Sequence, residues 1–259
     1  MATYELQACR VATLPVPGWE CFFAQHDVEF YRLAFYVWIV KGDGKTGLID
    51  TGLPLDEHDR LQLVEGCKAV HERCVFTDIL TLDELFHERG LEPASIDFVL
   101  LTQTITYHSG GLLPRFFPQA HVYISRAGVF EFLLDLPGHP PRDLYFTQAS
   151  WIFLRQLLVE KRLHLVDQPT QVADGIIFET TGGHHPGSAG VRVQTPHGVL
   201  GILETAFLQR NVEEVLSIGV AENAARCREV IRSYKNQCQV VLAGHDPGVL
   251  ERYPEGVIR

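Results

Sequence analysis

Four places along the chain carry imidazole or carboxylate side chains beside glycine or at the end of an apolar run. They are His108, the histidine pair at residues 184 and 185, Glu204, and His245. Imidazole and carboxylate groups are ordinary protein ligands of zinc and also suit iron(II). A single histidine beside a glycine is more often structural than ligating, so the chemistry depends on whether the fold brings these side chains together.

The most informative of these places is the stretch 102–111, with the sequence Thr-Gln-Thr-Ile-Thr-Tyr-His-Ser-Gly-Gly. It follows a short apolar run that predicts a buried strand, and it ends in two glycines, where the backbone can turn tightly. The stretch resembles the signature loop of the metallo-β-lactamase superfamily, Thr-His-x-His-x-Asp-His-x-Gly-Gly. His108 matches the last histidine, but the other three metal-binding positions hold Gln103, Ile105 and Tyr107.

Three later segments extend the resemblance. Residues 183–188, Gly-His-His-Pro-Gly-Ser, are similar to the family's Gly-His-x-Pro-Gly-Ser loop, which implies that His184 is the metal-binding position and that His185 points elsewhere. Glu204 stands where the family has a metal-bridging aspartate. His245, in Ala-Gly-His-Asp-Pro, matches the closing histidine in the form seen in the acyl-homoserine-lactonase-like branch. The shared order of these segments argues against chance.

Asp50 ends a predicted hairpin in the triplet Asp-Thr-Gly, which also closes the equivalent hairpin of the superfamily. The resemblance implies that its carboxylate supports the metal-ligand loop from behind. A plain turn capped by the aspartate is the alternative. Gln103 is expected in a similar supporting place beside the ligands.

The first metal of the family takes the two early histidines and the histidine of the Gly-His-x-Pro-Gly loop. Those positions here hold Gln103, Ile105 and His184. Isoleucine has no donor atom and glutamine is a weak neutral donor, so we expect this first metal site, and with it the dinuclear centre, to be lost.

The second metal position keeps more donors. The imidazoles of His108 and His245 and the carboxylate of Glu204 are a sufficient set for one divalent metal, zinc or iron. Tyr107 would ligate as a phenolate or donate as a phenol, and His184 would be a fourth ligand. Two cofactor states stay open: one metal, or none, with the polar residues forming a hydrogen-bonded cluster.

Two classes of function follow. In the first, one metal activates water or polarises a carbonyl, and the protein hydrolyses a small ester, lactone or thioester with Tyr107 or His184 as acid or base. A single-metal redox reaction belongs to the same class. In the second, a metal-free pseudoenzyme or metal-independent enzyme binds a small, largely apolar molecule. Ile105, Tyr145 and Phe146 are expected to line the pocket, although a core or dimer face is an equal alternative for the two aromatic residues.

Alternating strand and helix signals must position these side chains. Apolar, β-branched runs predict strands over 33–40, 98–101 and 240–243. We also predict a strand over 19–25 and a helix from Thr77 to about Arg89, and the polar stretch 54–76 gives no assignment. Two strand-rich halves with outer helices imply two sheets between helical layers, which the resemblance makes the α/β, αββα sandwich of the metallo-β-lactamase type.

Composition limits the partners. The chain has 259 residues, 46% hydrophobic, with a formal net charge of −10, which argues against nucleic acid or an anionic membrane as the main partner. The small-molecule substrate or ligand is what the resemblance and the expected pocket imply. The six cysteines form no Cys-x-x-Cys pair, and their apolar neighbours predict reduced thiols in a cytoplasmic protein. No linker divides the chain, so we predict one domain over residues 1–259. A homodimer stays open.

Overall fold

The computed structural model describes residues 1–25, 28–133 and 144–259, and its centre is a pair of β-sheets. The first sheet has seven strands in the order β12-β1-β2-β3-β4-β5-β6, and the second has five in the order β11-β10-β9-β8-β7. The strands of the first sheet are β1 Glu5–Pro17, β2 Phe30–Gly42, β3 Lys45–Ile49, β4 Phe98–Leu101, β5 His121–Ser125, β6 Leu163–Val166 and β12 Val257–Ile258. Those of the second are β7 Thr170–Ala173, β8 Ile176–Thr180, β9 Ala189–Thr195, β10 Gly198–Leu203 and β11 Val240–Ala243.

Helices cover the outer faces of the sheets. They are α1 Gly18–Cys21, α2 Glu57–Val70, α3 Leu82–Arg89, α4 Thr106–Ser109, α5 Arg126–Leu133, α6 Gln148–Val159, α7 Gln209–Glu214, α8 Ala224–Gln237 and α9 Gly248–Arg252, with a 3-10 turn at Pro93–Ser95. None of these helices is long and apolar enough to cross a membrane.

The alternation of side chains along β2 explains the layering. Successive strand residues point to opposite faces of a sheet, and β2 is apolar at nearly every position. Its even-numbered residues pack into the core between the two sheets, and its odd-numbered residues pack into the core beneath the helices. A third core lies between the second sheet and α8. These layers confirm the predicted αββα sandwich.

Strand direction gathers the loops that carry the candidate chemistry. Strand β3 runs parallel to β4, and β10 runs parallel to β11, so the carboxyl ends within each pair meet at one edge. Strand β9 is antiparallel to β10, which brings its first residue to that edge as well. The two sheets are joined there by a hydrogen bond of 2.9 Å from the Ala189 amide to the Thr102 carbonyl.

Two local predictions differ from the structure, and the stretch without an assignment holds a helix. Residues 18–21 form the short helix α1 and overlap the strand predicted over 19–25, because the Phe22 amide donates to the Gly18 carbonyl and closes a helical turn. The cap of α3 is Thr81, not Thr77. The Thr81 hydroxyl accepts a hydrogen bond from the Glu84 amide, and the Glu84 carboxylate accepts one from the Thr81 amide. The unassigned stretch holds α2, capped by Asp56.

Substitution of Leu100 tests how much β4 contributes to the stability of the core between the sheets. Its side chain is fully buried between the sheets, so Leu100→Ala should lower the free energy of unfolding by about 2–5 kcal/mol. The control Val159→Ala, at an exposed position on α6, should change it by less than about 0.5 kcal/mol. Urea unfolding of both variants measures the difference, and equal stabilities would contradict the packing described here.

Candidate metal centre

Three side chains from three different loops converge at the shared edge of the sheets. His108 Nε2 lies 3.3 Å from Glu204 Oε1, and His245 Nε2 lies 3.2 Å from the same oxygen. All three residues are buried, and their ligand atoms lie within 4.8 Å of one another. His108 comes from α4 after β4, Glu204 follows β10 and His245 follows β11, so strand direction alone places them together. We call this group the His108–Glu204–His245 site.

Asp50 lies behind His108 and orients it. Its Oδ2 accepts hydrogen bonds from His108 Nδ1 at 2.8 Å and from the Thr102 hydroxyl at 2.6 Å, and its Oδ1 accepts from the Thr102 amide at 2.8 Å. Asp50 has a positive φ of 62°, a conformation that aspartate adopts more readily than most residues. The Thr51 amide and hydroxyl both donate to the His108 carbonyl, which fixes the backbone as well as the ring.

The other two histidines are anchored by backbone carbonyls. His245 Nδ1 donates to the Ala34 carbonyl at 3.2 Å, and His184 Nδ1 donates to the Val220 carbonyl at 3.0 Å. In each ring the second nitrogen, Nε2, is thereby turned inward. The Nε2 atoms of His108 and His184 are buried and have no hydrogen-bond partner in the described part of the chain.

Electrostatic coupling in the His108–Glu204–His245 site is strong. Burial alone would lower the pKa of His108, but the negative charges of Glu204 and Asp50 outweigh burial and raise that pKa to about 10. Burial would raise the pKa of Glu204, but His108 and His245 hold it well below its usual value. The site therefore favours an ionised carboxylate. Burial and the neighbouring His185 lower the pKa of His184 well below its usual value, so His184 is a neutral imidazole.

Tyr107 forms part of an aromatic wall beside the site. Its ring lies 4.9 Å from the rings of Phe35 and His108, and Phe35 lies 4.5 Å from His245. Burial and the charge of Glu204 raise the pKa of Tyr107 well above its usual value. Tyr107 is therefore a neutral phenol, which can donate a hydrogen bond.

Gln103 and Ile105 both lie close to the site but have different surroundings. Gln103 Nε2 donates to Glu204 Oε1 at 3.5 Å, and its carbonyl oxygen is buried with no hydrogen-bond partner among the described residues. Ile105 faces an apolar cavity of about 250 Å³, which also contacts Tyr107, His184 and His245. The cavity thus opens beside the ligand atoms.

Helix α2 supplies a cavity wall that sequence reasoning missed. Leu63, Cys67 and Val70 line the cavity, and their spacing of four and three residues is that of one helix face. The cap Asp56 and this spacing were the available signals in the stretch left unassigned. Glu20 of α1 also lines the cavity, and burial raises its pKa to about 7; its role could not be predicted because residues 19–25 were assigned to a strand.

Two expected pocket residues lie elsewhere. Tyr145 is buried and donates through its hydroxyl to Glu131 at 2.9 Å, and the Phe146 ring packs 5.4 Å from Phe132 and 5.8 Å from Trp151. Neither belongs to the residues that line the apolar cavity in the described part of the chain, where Leu144 takes that position. The aromatic side chains are instead held in the packing between α5 and α6.

His184 also lies outside the three-residue group. Its ring packs 5.2 Å from Phe207 in the cavity wall, and the described cluster of ligand atoms does not include it. A role as fourth metal ligand, or as acid or base, stays a prediction.

The donor set fits one divalent metal on several counts. Ligands about 2.1 Å from a tetrahedral ion are about 3.4 Å apart, close to the separations of 3.2 and 3.3 Å found here. A space of about 10 Å³ adjoins the three side chains, roughly that of one water molecule. Asp50 and the Ala34 carbonyl hold the imidazoles through Nδ1, the usual support for histidine ligands.

Asp50 provides a test of this arrangement that needs no metal. Asp50→Asn removes the negative charge but keeps the size of the side chain, so metal-free protein should lose about 3–5 kcal/mol of unfolding free energy. The control Asp43→Asn, at the exposed turn between β2 and β3, should lose less than about 0.5 kcal/mol. Denaturant unfolding in the presence of chelator compares them. Equal stability of the two variants would show that Asp50 does not hold His108 in solution.

Comparison with known proteins rests on structure alone, since no protein-family model and no curated protein matches the chain. An N-acyl homoserine lactone hydrolase, solved with N-hexanoyl-L-homoserine at its catalytic metal centre, is 14% identical, with a TM-score of 0.77 and full coverage of both chains. A probable metal-dependent hydrolase from Staphylococcus aureus is 13% identical, with a TM-score of 0.69 over 95% of this chain and 89% of that one. A dizinc quorum-quenching lactonase is 15% identical, with a TM-score of 0.64 over 94% and 88%. The chain therefore has the metallo-β-lactamase fold, in a form that resembles the N-acyl homoserine lactonases.

Proposed function

We propose that this protein is a hydrolase with one divalent metal, held by His108, Glu204 and His245, that cleaves a small ester, lactone or thioester. The observation that carries the proposal is the convergence of three buried ligand atoms at one edge of the sheets, beside an apolar cavity. Zinc and iron(II) both suit two imidazoles and a carboxylate.

The residues support one metal and argue against two. A second ion about 3.5 Å from the first, the usual separation in two-metal sites, would need donors from the side of Gln103 and Ile105. Ile105 offers none, and the Gln103 amide donates to Glu204. Two metals bound at that separation in this site would contradict the proposal.

A metal at the site would supply Lewis acidity toward a carbonyl oxygen and toward water. The chain's own residues supply the remaining functions. The neutral Nε2 of His184 faces inward with no hydrogen-bond partner among the described residues, so it can accept a hydrogen bond from water and orient that water. The Tyr107 phenol can donate a hydrogen bond to a substrate oxygen, and the aromatic wall limits access of bulk water.

The apolar cavity indicates the shape of the substrate. Its wall is mostly apolar and includes the aliphatic side chains of Leu14, Leu33 and Leu63, and its volume of about 250 Å³ suits a short acyl chain or small ring. The ligand atoms lie at one side of the apolar cavity, because His245 and Tyr107 line both this cavity and the small space beside the ligands. An ester or thioester carbonyl would thus lie near the site while its apolar part fills the cavity.

A second function, metal-free binding of a small apolar molecule, is favoured by one observation. Glu204 already accepts a hydrogen bond from His245, and His108 is paired with Asp50, so both carboxylates have imidazole partners without an ion. The cavity would then act as a binding site alone.

Metal content separates the two functions. Wild-type protein and the His108→Ala variant, purified identically without added metal or chelator, should differ by one divalent metal per chain, because removal of one imidazole leaves two protein donors. His245→Ala should behave in the same way, and both variants should lose about 100-fold or more in kcat/KM for a hydrolysed ester or thioester. Elemental analysis and a hydrolysis assay measure the two effects.

His197→Ala is the matched control, because this histidine is exposed in the turn between β9 and β10. It should keep the metal content and activity of the wild type. Equal metal in wild type and His108→Ala would exclude a metal at this site. If His108→Ala loses the metal but the wild type hydrolyses no ester, lactone or thioester in a panel, the site binds metal and the hydrolase is excluded.

A substitution that narrows the cavity tests whether it binds the apolar part of the substrate. Val70→Trp places a large side chain at a half-exposed position of the wall and should raise KM about 10-fold or more for substrates with the longest apolar chain, with a smaller effect on an acetyl analogue. Val159→Trp adds the same bulk at an exposed position outside the cavity and should leave both unchanged. An equal effect of Val70→Trp on all chain lengths would contradict this assignment.

A further inference from the structure

A second cluster of potential metal ligands lies at the other side of the histidine pair. Glu131 comes from α5, His185 from the loop between β8 and β9, and Glu222 from the segment before α8. His185 Nδ1 lies 3.6 Å from Glu131 Oε1 and 3.4 Å from Glu222 Oε1, and all three ligand atoms lie within 4.8 Å of one another. We call this group the Glu131–His185–Glu222 cluster. It shares no residue with the His108–Glu204–His245 site.

The separations in this cluster match those of metal ligands better than those of strong hydrogen bonds. Oxygen and nitrogen ligands about 2.1 Å from a tetrahedral zinc are about 3.4 Å apart. A charge-assisted hydrogen bond between an imidazole and a carboxylate is shorter, at about 2.7–2.9 Å. Both carboxylates face the same imidazole nitrogen at the longer spacing.

Neighbouring groups fix the Glu131 side chain and the His185 backbone independently of the cluster. The Tyr145 hydroxyl donates to Glu131 Oε1 at 2.9 Å, and the Glu131 side chain is only 1% exposed. The His185 amide donates to the Ser188 hydroxyl at 3.1 Å, and the Ser188 amide donates back to the His185 carbonyl. Hydrogen bonds of this kind to a ligating carboxylate are typical of metal centres.

The third side chain leaves the cluster open to solvent. The Glu222 side chain is 40% exposed, and its amide donates to the His184 carbonyl at 3.1 Å, which ties this segment to the histidine pair. A buried carboxylate, a partly exposed imidazole and an exposed carboxylate give a solvated ion both an entry path and open coordination positions.

We propose that Glu131, His185 and Glu222 form a second divalent-metal site, of the zinc class, at the rim of the apolar cavity. An ion bound there joins α5, the loop between β8 and β9, and the segment before α8. His185 also lines the cavity, so the ion places positive charge at its rim. This site does not depend on a metal at the His108–Glu204–His245 site.

Zinc binding by full-length variants tests the second site. Equilibrium dialysis against Zn²⁺ should show one ion fewer per chain for His185→Ala than for wild type, and the same decrease when His185→Ala is added to His108→Ala. Glu222→Gln should weaken the site at least 10-fold, and Tyr145→Phe should weaken it about 10-fold through the lost hydrogen bond to Glu131. Glu255→Gln, at an exposed position near the C-terminus, is the matched control and should bind as wild type does.

The outcomes are distinct from those of the proposed hydrolase. A decrease in His185→Ala but not in His108→Ala supports the second site while excluding a metal at the first. Because Glu222 is exposed, Glu222→Gln keeps the test valid if His185→Ala does not fold. Unchanged zinc binding in Glu222→Gln would overturn the proposal, and the cluster would then be only an imidazole between two carboxylates. An equal loss of zinc binding in Glu255→Gln would also overturn it, because it would indicate non-specific binding to surface acids.

Discussion

The chain of polar contacts from Asp50 through His108 to Glu204 and His245 is the interaction on which the candidate site depends. It places two carboxylates and two imidazoles out of contact with water, where an uncompensated charge would cost several kcal/mol. Each carboxylate lies against at least one imidazole, and each of these imidazoles has its Nδ1 hydrogen held by an acceptor. Removing one member leaves a buried charge, so the four residues act as a unit.

Strand direction makes this chain possible. Asp50 follows β3, the His108 segment follows β4, Glu204 follows β10 and His245 follows β11, and each pair of parallel strands ends at one edge. Backbone hydrogen bonds near these loops, such as that from the Ala34 amide in β2 to the His245 carbonyl at 2.9 Å, hold the two sheets together. A shift of one residue in either sheet would turn its contributing side chain to the opposite face.

The buried strands and the loops that match the family signature were predictable from sequence, whereas two helices, one helix cap and long-range side-chain pairs were not. The strand 98–101 and the apolar run in β2 are continuous stretches of apolar residues, a pattern typical of buried strands. This pattern depends only on the types of neighbouring residues, so the sequence shows it. The cap at Thr81 was missed because Thr77 offers the same chemistry four residues earlier, and there the Thr77 hydroxyl is used instead against Thr13. Tyr145 was expected in the pocket, but a long-range partner, Glu131, holds its hydroxyl, and sequence spacing carries no signal for such a pair.

The adjacent histidines show how one short loop can serve two environments. His184 points inward, with its Nδ1 on the Val220 carbonyl, whereas His185 points toward two carboxylates, although the two rings are 4.1 Å apart. A positive charge on the His185 ring would disfavour protonation of His184, so the protonation state of His185 affects that of His184. An ion on His185 would act in the same sense, because a fixed positive charge beside His184 lowers its pKa further and keeps that imidazole neutral. The Glu131–His185–Glu222 cluster and the cavity wall are thereby coupled electrostatically without sharing a ligand.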